Sequence, residues 1–282
     1  MLVSCDISAA RKVCGFLGHA AKLGCSKCLK SFETGGHKFH EQYAGFEDAP
    51  LRTETSHHPM HNLFLGTAKH MMKHIWLADS DGRNALLTTR DLEIIQNRVD
   101  LCVVPSFFGR IPRKIASKFC NFKADQWKSW ILVFSVYALY NILGSVHLKC
   151  WRKFVHACRI LLLTILTIEK VSEAHCLLIK FCKDVESLYG KEATTMNMHL
   201  HTHLKECILD CGPLSSFLMF AFERFNDYLG KFPTNNRCVE IQIMRKFCRD
   251  MHFRNLPISN SIIWLYFKYS NWYIKRNEYF SQ

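Results

Sequence analysis

The chain has 282 residues, with 37 Lys or Arg against 24 Asp or Glu, and a formal net charge of +13 before any histidine is protonated. Because 49% of the residues are hydrophobic and 22% are charged, the composition is that of a globular protein and excludes a disordered tail or a fibre. The length suffices for one large domain or two small ones. The excess of positive charge favours a phosphate backbone or an anionic membrane as partner.

The hydrophobic pattern predicts a mostly helical chain that begins with a short strand. The strand is expected over Leu2–Cys5, so that Asp6 lies at its C-terminal end. The predicted helical segments are residues 8–23, 61–77, 89–100, a long region over 124–189 with a break near Gly144, 214–229 and 239–251.

Two apolar runs raise the question of a membrane span. Residues 129–148 carry no charge and are long enough to cross a bilayer, although Ser, Asn, Tyr, Gly and His interrupt them. The second run, Ile160–Ile168, has only about half the necessary length. We interpret both runs as buried helices of a helical core, with a membrane span over 129–148 as the alternative.

The 14 cysteines do not suggest a disulfide framework. Residues 1–10 lack the basic and apolar regions of a secretory signal, and a reducing compartment is expected. Most cysteines stand singly in apolar stretches, where a free thiol behaves as a small buried hydrophobe. The cysteines of this kind are Cys102, Cys120, Cys158, Cys176 and Cys182.

Cys25 and Cys28 form a C-x-x-C motif that follows Gly24. This spacing lets two thiolates bind one tetrahedral Zn²⁺. A redox pair is the alternative, but no thioredoxin-like βαβ pattern surrounds the motif.

Two pairs of histidines could complete a zinc site. His37 and His40 lie close by as H-x-x-H and would form a local, finger-like site. His199 and His203 lie far downstream, and on a helix they share one face while His201 points elsewhere. The residues alone leave both pairs open.

Other side chains suit chemistry on phosphodiesters. Carboxylates that hold two Mg²⁺ ions serve such reactions, and Asp6 at a strand end or Glu223 on the polar face of a helix could contribute. Each acid by itself is also consistent with an ordinary exposed residue.

His61, at the start of the helix over 61–77, could bind a metal or approach a phosphate. Aromatic residues are interspersed among basic ones over 109–119 and 149–154, which suits phosphate contact with ring stacking but also an ordinary solvated face.

Several long strings of the sequence form an ordered set. They are CDISAARKVCGFLGHAAKLGCSKCLKSF (5–32), HPMHNLFLGTAKHMMKHIW (58–76), FGRIPRKIASKF with ADQWKSW (within 108–130), LYGKEATTMNMHLHTHLKECILDCGPLSSFLMFAFERFNDYLG (188–230) and TNNRCVEIQIMRKF (234–247). Together these strings resemble the transposases of CACTA (En/Spm) DNA elements. The resemblance covers nearly the whole chain from Asp6 to about Phe247. The family pattern has an acid where this chain has His58, so only His61 of that motif is retained.

The resemblance implies a DDE recombinase with an RNase H-like core, in which three acids hold two Mg²⁺ ions for DNA cleavage and strand transfer. Asp6 matches the second acid and Glu223 the final glutamate. In that group a C-x-x-C after the second acid pairs with two histidines before the glutamate. The implied structural zinc site is therefore Cys25 and Cys28 with His199 and His203; His61 and His201 are further candidates.

These implications give a mostly α fold with a remnant of an RNase H-like α/β core and a large helical insertion. Residues 1–56 would be the partial core, 57–198 the insertion, and 199–282 the histidine pair, the catalytic-glutamate helix and a tail. No match to the first acid is present, so we expect a transposase fragment that is defective in cleavage. The alternative is a domesticated, non-enzymatic, zinc-stabilised module that binds DNA or protein.

The resemblance also implies partners and a compartment. DNA is the expected partner, both as transposon ends and as target, and strand transfer at two ends favours a homo-oligomer. The expected location is the nucleus, and no membrane association is expected.

Overall fold

In the computed structural model, the described residues are 25, 27–32, 46, 60–77, 85–105, 114–214 and 220–255. Helices predominate in these residues and no β-strand occurs among them, which confirms the prediction of a mostly helical chain. The predicted strand over Leu2–Cys5 lies outside the described residues. The chain divides into two compact units, Met1–Phe220 and Ala221–Gln282.

Thirteen helical segments of the described residues carry labels here, α1 to α13. In chain order they are α1 (Met60–Ala68), α2 (Met71–Trp76), α3 (Thr89–Asp100), α4 (Ile115–Lys118), α5 (Ala124–Ser129), α6 (Trp130–Phe134), α7 (Ser135–Ala138), α8 (Ser145–Leu161), α9 (Ile168–Tyr189), α10 (Met196–His201), α11 (Leu204–Cys211), α12 (Phe220–Gly230) and α13 (Val239–Asn255). Short 3₁₀ turns cover Phe119–Asn121 and Lys191–Ala193.

The helix α3 has the limits that its end residues predict. Thr88 accepts a hydrogen bond from the Asp91 backbone N–H, and the Asp91 carboxylate accepts one from the Thr88 N–H, which is a capping box. Near the other end, the Arg98 guanidinium donates to the carbonyl oxygens of Ala138 at 3.0 Å and Tyr140 at 2.6 Å. The Ala138 carbonyl ends α7 and the Tyr140 carbonyl lies in the turn that follows, so one side chain ties α3 to the turn that precedes α8.

The helices α8 and α9 form an antiparallel pair at the centre of the first unit. His147 Nδ1 lies 2.8 Å from Tyr189 Oη near one end, and Lys153 is ion-paired with Asp184 further along. Aromatic rings fill the interface, with Phe154 4.9 Å from Phe181 between ring centroids. The pair therefore supplies a large share of the main apolar core.

Wide helical turns occur where α1 packs on α10. Both α1 and α2 are π-helical, with residues 69 and 70 forming an ordinary α turn between them. A third π-helical stretch is α6, in the middle of the segment that joins α5 to α7. Such windings are rare and frequently accompany functional sites.

The prediction that Ile160–Ile168 is a buried helix is wrong. α8 ends at Leu161 and α9 begins at Ile168, and the exposed fractions of Ile165 and Ile168 are 80% and 66%. The cause is that α8 and α9 pack against each other antiparallel, which requires the chain to turn between them. The Thr167 side chain starts the second helix by accepting a hydrogen bond from the Lys170 N–H.

The first apolar run, residues 129–148, holds α6, α7 and the start of α8, with a turn between α7 and α8 as predicted near Gly144. Trp130, Ile131 and Phe134 are buried in the core. Within the described part of the chain, no helix has the length and apolar character that a membrane span requires.

The single cysteines divide into two groups. Cys158 and Cys182 are fully buried, as the apolar surroundings predict. The prediction fails for Cys120 and Cys176, which are exposed, and Cys102 is half-buried. The apolar neighbours of the two exposed residues face inward while the thiols lie on the outer side of their helical turns.

The second unit contains α13 and most of α12. Phe225 of α12 packs edge-on against Phe247 of α13 with ring centroids 5.6 Å apart. The Tyr228 hydroxyl donates to the Asp250 carboxylate and joins the same two helices. The helix predicted over 239–251 is therefore present and extends to Asn255.

Candidate metal centre

The C-x-x-C motif forms a buried loop. Cys25 and Cys28 are 1% and 0% exposed. The backbone N–H of Lys27 donates to Cys25 Sγ at 3.3 Å, which stabilises negative charge on that sulfur. Lys27 is itself buried, and its ammonium lies 3.9 Å from the Asp210 carboxylate of α11, a second link between this loop and the histidine segment.

The two histidines lie on successive helical turns rather than on one unbroken helix. Thr195 begins α10 by accepting a hydrogen bond from the Met198 N–H, and the helix ends at His201. A turn over Thr202 and His203 separates it from α11. The predicted shared face survives this interruption, because the His199 and His203 Nε2 atoms are 3.3 Å apart.

The structure brings all four residues of the distant pairing together. Cys25, Cys28, His199 and His203 are buried, and one ligand atom of each lies within 4.8 Å of the others. Cys28 Sγ is 3.4 Å from His199 Nε2, across 171 residues of sequence. A tetrahedral zinc with about 2.3 Å bonds to sulfur and about 2.0–2.1 Å bonds to nitrogen would separate two nitrogens by about 3.3 Å and a sulfur and a nitrogen by about 3.6 Å. The group could therefore bind a metal ion such as zinc.

The protonation states of the group also fit a cation. The hydrogen bond with Cys25 lowers the pKa of the Cys28 thiol, aided by His199 and His203, while that same bond and burial raise the pKa of Cys25. The two thiols thus share one proton between them, and binding of a divalent cation would displace it. Burial lowers the pKa of His199, which keeps the imidazole neutral with a lone pair available to a metal.

Apolar side chains surround these ligands. Phe32, four residues after Cys28, packs its ring edge-on to His199 with centroids 5.0 Å apart. Met196 and Leu200 complete a small buried cluster with the two cysteines. An apolar shell of this kind limits the access of water to the ligands. The role of Phe32 was not predicted from the sequence. The one indication was an aromatic residue four positions after Cys28, next to polar Lys30 and Ser31.

His201 does not join the group of four. Its Nε2 is 3.0 Å from the Thr67 hydroxyl of α1, and its Nδ1 is 3.7 Å from Cys182 Sγ. The ring stacks on Phe154 with centroids 5.8 Å apart. Burial lowers the pKa of His201 to about 3, so it is a neutral core residue that joins α1 and α10 to the α8–α9 pair.

Further contacts fix the histidine segment against the first helices. Asn62 Nδ2 donates to the Asn197 carbonyl at 2.7 Å, and His70 Nε2 lies 2.9 Å from the Ala193 carbonyl. His61 lies in α1, but its side chain is outside what the structure describes.

The other predicted site residues are placed only in part. Glu223 lies in α12 as the sequence predicts, and its side chain is outside the described set. Asp6, His37 and His40 all lie outside the described residues. The magnesium site of Asp6 and Glu223 and the local zinc pairing of His37 and His40 therefore stay predictions.

Comparison of the chain with protein-family models, characterised proteins and solved structures gave no significant match.

Proposed function

We propose that the chain derives from the catalytic region of a CACTA-type DNA transposase. It binds DNA, and a structural zinc site holds its fold together. Its four ligands would be Cys25, Cys28, His199 and His203. The observation that carries the proposal is that these buried residues meet with spacings suited to tetrahedral zinc. This is the pairing that the family resemblance implies.

The separation of the ligands in sequence supports a structural role for the metal. Closing a loop of 171 residues costs about 4–5 kcal/mol of chain entropy, whereas structural zinc contributes about 10–16 kcal/mol of apparent binding free energy. The metal can therefore hold the early loop on the late histidine segment across the intervening helices. In the proposed fold, this clamp joins the parts of an RNase H-like core on either side of a helical insertion.

Metal analysis tests the zinc assignment and its ligands together. The purified chain should carry one zinc by native mass spectrometry, and His199→Ala with His203→Ala should remove it. The matched control is His37→Ala with His40→Ala, which removes two histidines closer in sequence to the same cysteines and should leave the zinc in place. Zinc that survives the first double substitution and disappears with the second would refute the assignment.

The proposed catalytic chemistry is Mg²⁺-dependent cleavage and joining of DNA. Asp6 and Glu223 would hold Mg²⁺, which stabilises the attacking and leaving oxygens when two ions are bound. Asp6 and Glu223 match two of the three acids, and two carboxylates alone hold a pair of Mg²⁺ ions poorly, so we expect no robust DNA nicking with Mg²⁺ or Mn²⁺. If the chain nicks DNA robustly and Asp6→Ala abolishes that nicking, this expectation is contradicted.

A second candidate is a non-enzymatic DNA- or protein-binding module that keeps the zinc clamp. Two observations favour it. The net charge is +13, and the four Cys and His residues can form a metal site without Asp6 or Glu223. Neither candidate is expected to nick DNA robustly, so Mg²⁺ binding separates them. DNA binding by a chain that binds no Mg²⁺, or whose Mg²⁺ binding is unchanged by Asp6→Ala and Glu223→Ala, would select this function. For either candidate we propose a nuclear location, and for the transposase a homo-oligomer that pairs two DNA ends.

A further inference from the structure

The helix α8 presents a row of basic residues to solvent. Lys149, Arg152, His156 and Arg159 are all exposed, and together they are called the basic stripe. At about 100° per residue, the four side chains fall within an arc of about 80° on the helix surface. The stripe runs for about 15 Å along the helix axis.

Acidic residues are absent from this part of the sequence. The segment from Gln126 to Ile168, which contains all of α8, has no Asp or Glu. The neighbouring helix α9 does carry acids, but Asp184 is engaged by Lys153 at the edge of the helix interface. The field of the stripe is therefore not cancelled within its own helix.

The stripe is also held in place. The opposite face of α8 is buried through Trp151, Phe154 and Cys158. At the C-terminal end, Arg159 donates from Nε and Nη2 to the Leu132 carbonyl, at 3.0 and 2.7 Å, which leaves other guanidinium N–H groups for an anion. Among the described residues, no hydrogen bond or ion pair engages the side chains of Lys149 and Arg152.

We infer that the basic stripe binds the phosphate backbone of double-stranded DNA. Phosphates of one strand recur every 3.4 Å or so along the duplex axis, so a stripe of about 15 Å can follow several of them. A membrane fits less well, because a surface-bound helix inserts its apolar face into lipid and the apolar face of α8 is buried against α9. The inference rests on the proposed function in taking DNA as the partner, and it adds the surface that holds it.

The test compares two variants of the full zinc-loaded chain with equal loss of charge. The stripe variant is Lys149→Gln with Arg152→Gln. The control variant is Lys170→Gln with Lys183→Gln, which removes two exposed lysines from α9, where acids are interspersed. Binding to a short duplex of arbitrary sequence is measured over a series of KCl concentrations, with thermal melting as a check on folding.

The stripe variant should bind about tenfold more weakly near physiological salt, and the slope of log K against log[KCl] should fall by about 2, because each lost phosphate contact removes about 0.9. The control variant should stay close to the unmodified chain. Equal losses in the two variants would overturn the inference, since net charge alone would then explain binding. The inference would also be overturned if the unmodified chain binds DNA and the stripe variant binds it equally well.

Two outcomes separate this inference from the proposed function. If the zinc-loaded chain does not bind DNA at all, the proposed function fails and the inference fails with it. If the chain instead binds phosphatidylserine vesicles and only the stripe variant loses that binding, the surface is an anion-binding one but DNA is the wrong partner, which overturns the inference.

Discussion

At the scale of single residues, three histidines within five positions have two different fates. His199 and His203 turn their Nε2 atoms toward the cysteines, whereas His201 is stacked in the aromatic core beside Thr67. The difference follows from helix geometry, since residues four apart share a face and the residue between them points away. Neighbouring histidines in one segment can thus differ in role, two lying in a candidate metal site and the third in the apolar core.

His201→Ala separates these roles. We expect the chain to lose about 2–4 kcal/mol of unfolding free energy, because the substitution leaves a cavity beside Phe154 and removes a buried hydrogen bond with Thr67. Bound zinc should remain at one per chain. Urea denaturation measures the first effect and metal analysis the second.

His199→Ala is the matched comparison for that prediction, because it removes the same side chain two positions earlier. It should release the zinc. Loss of zinc in the His201 variant while it remains folded would show that His201 is a ligand.

At the scale of elements, hydrogen bonds from single side chains fix helices to one another. Arg98 of α3 donates to carbonyl oxygens at the end of α7, groups that a helix terminus leaves without partners.

Arg98→Ala should lower the unfolding free energy by about 1–3 kcal/mol, as expected for hydrogen bonds to a charged donor. Arg90, exposed on the same helix, provides the control, and Arg90→Ala should change stability by less than about 0.5 kcal/mol. Equal effects in urea denaturation would contradict the prediction.

The α8–α9 pair carries a titrating contact. Burial lowers the pKa of His147, whose Nδ1 lies 2.8 Å from the Tyr189 hydroxyl. The folded chain therefore binds fewer protons here than the unfolded chain, and stability should fall as the pH drops below the ordinary histidine pKa of about 6.5. Denaturation at about pH 7.5 and about pH 5.5 measures this difference.

His147→Gln isolates that effect, because glutamine can keep a hydrogen bond to Tyr189 but does not titrate. Zinc release in acid affects both proteins, so the difference between their pH profiles belongs to His147. A wild-type profile that coincides with that of the variant would remove His147 as the cause.

At the scale of the first unit, two apolar clusters of unequal size are present. The large core is formed by α1 to α11, and the small cluster contains Cys25, Cys28, Phe32, Met196 and Leu200. Because so few apolar groups hold the early loop in the small cluster, its order should depend on the metal.

Removing the metal tests this dependence. After EDTA treatment, amide hydrogen exchange should accelerate first in residues 27–32 and 196–211, while α8 and α9 stay protected because their interface does not include the site. Hydrogen-exchange mass spectrometry on the loaded and chelated chain measures the change. Uniform acceleration across the unit, or none in these two segments, would contradict the prediction.

Much of the local structure of the described residues is predictable from the sequence. Thr88 and Asp91 set the start of α3, and the break near Gly144 separates α7 from α8. The same reasoning misassigned Ile160–Ile168, because hydrophobicity does not reveal where two packed helices require a turn. Exposed Cys120 and Cys176 were likewise misjudged, since an apolar neighbourhood in sequence does not say which way one thiol points.

For the metal centre, spacing alone identified the C-x-x-C but left two histidine pairs open. Only the tertiary structure brings Cys28 and His199 to 3.4 Å, because packing of α10 against α1 and α9 determines where the histidine segment lies. The excess of positive charge was likewise a bulk property until the fold buried one face of α8 and left its basic residues outside. The composition predicts that the chain attracts anions, and packing leaves the basic stripe as the surface that we propose for this role.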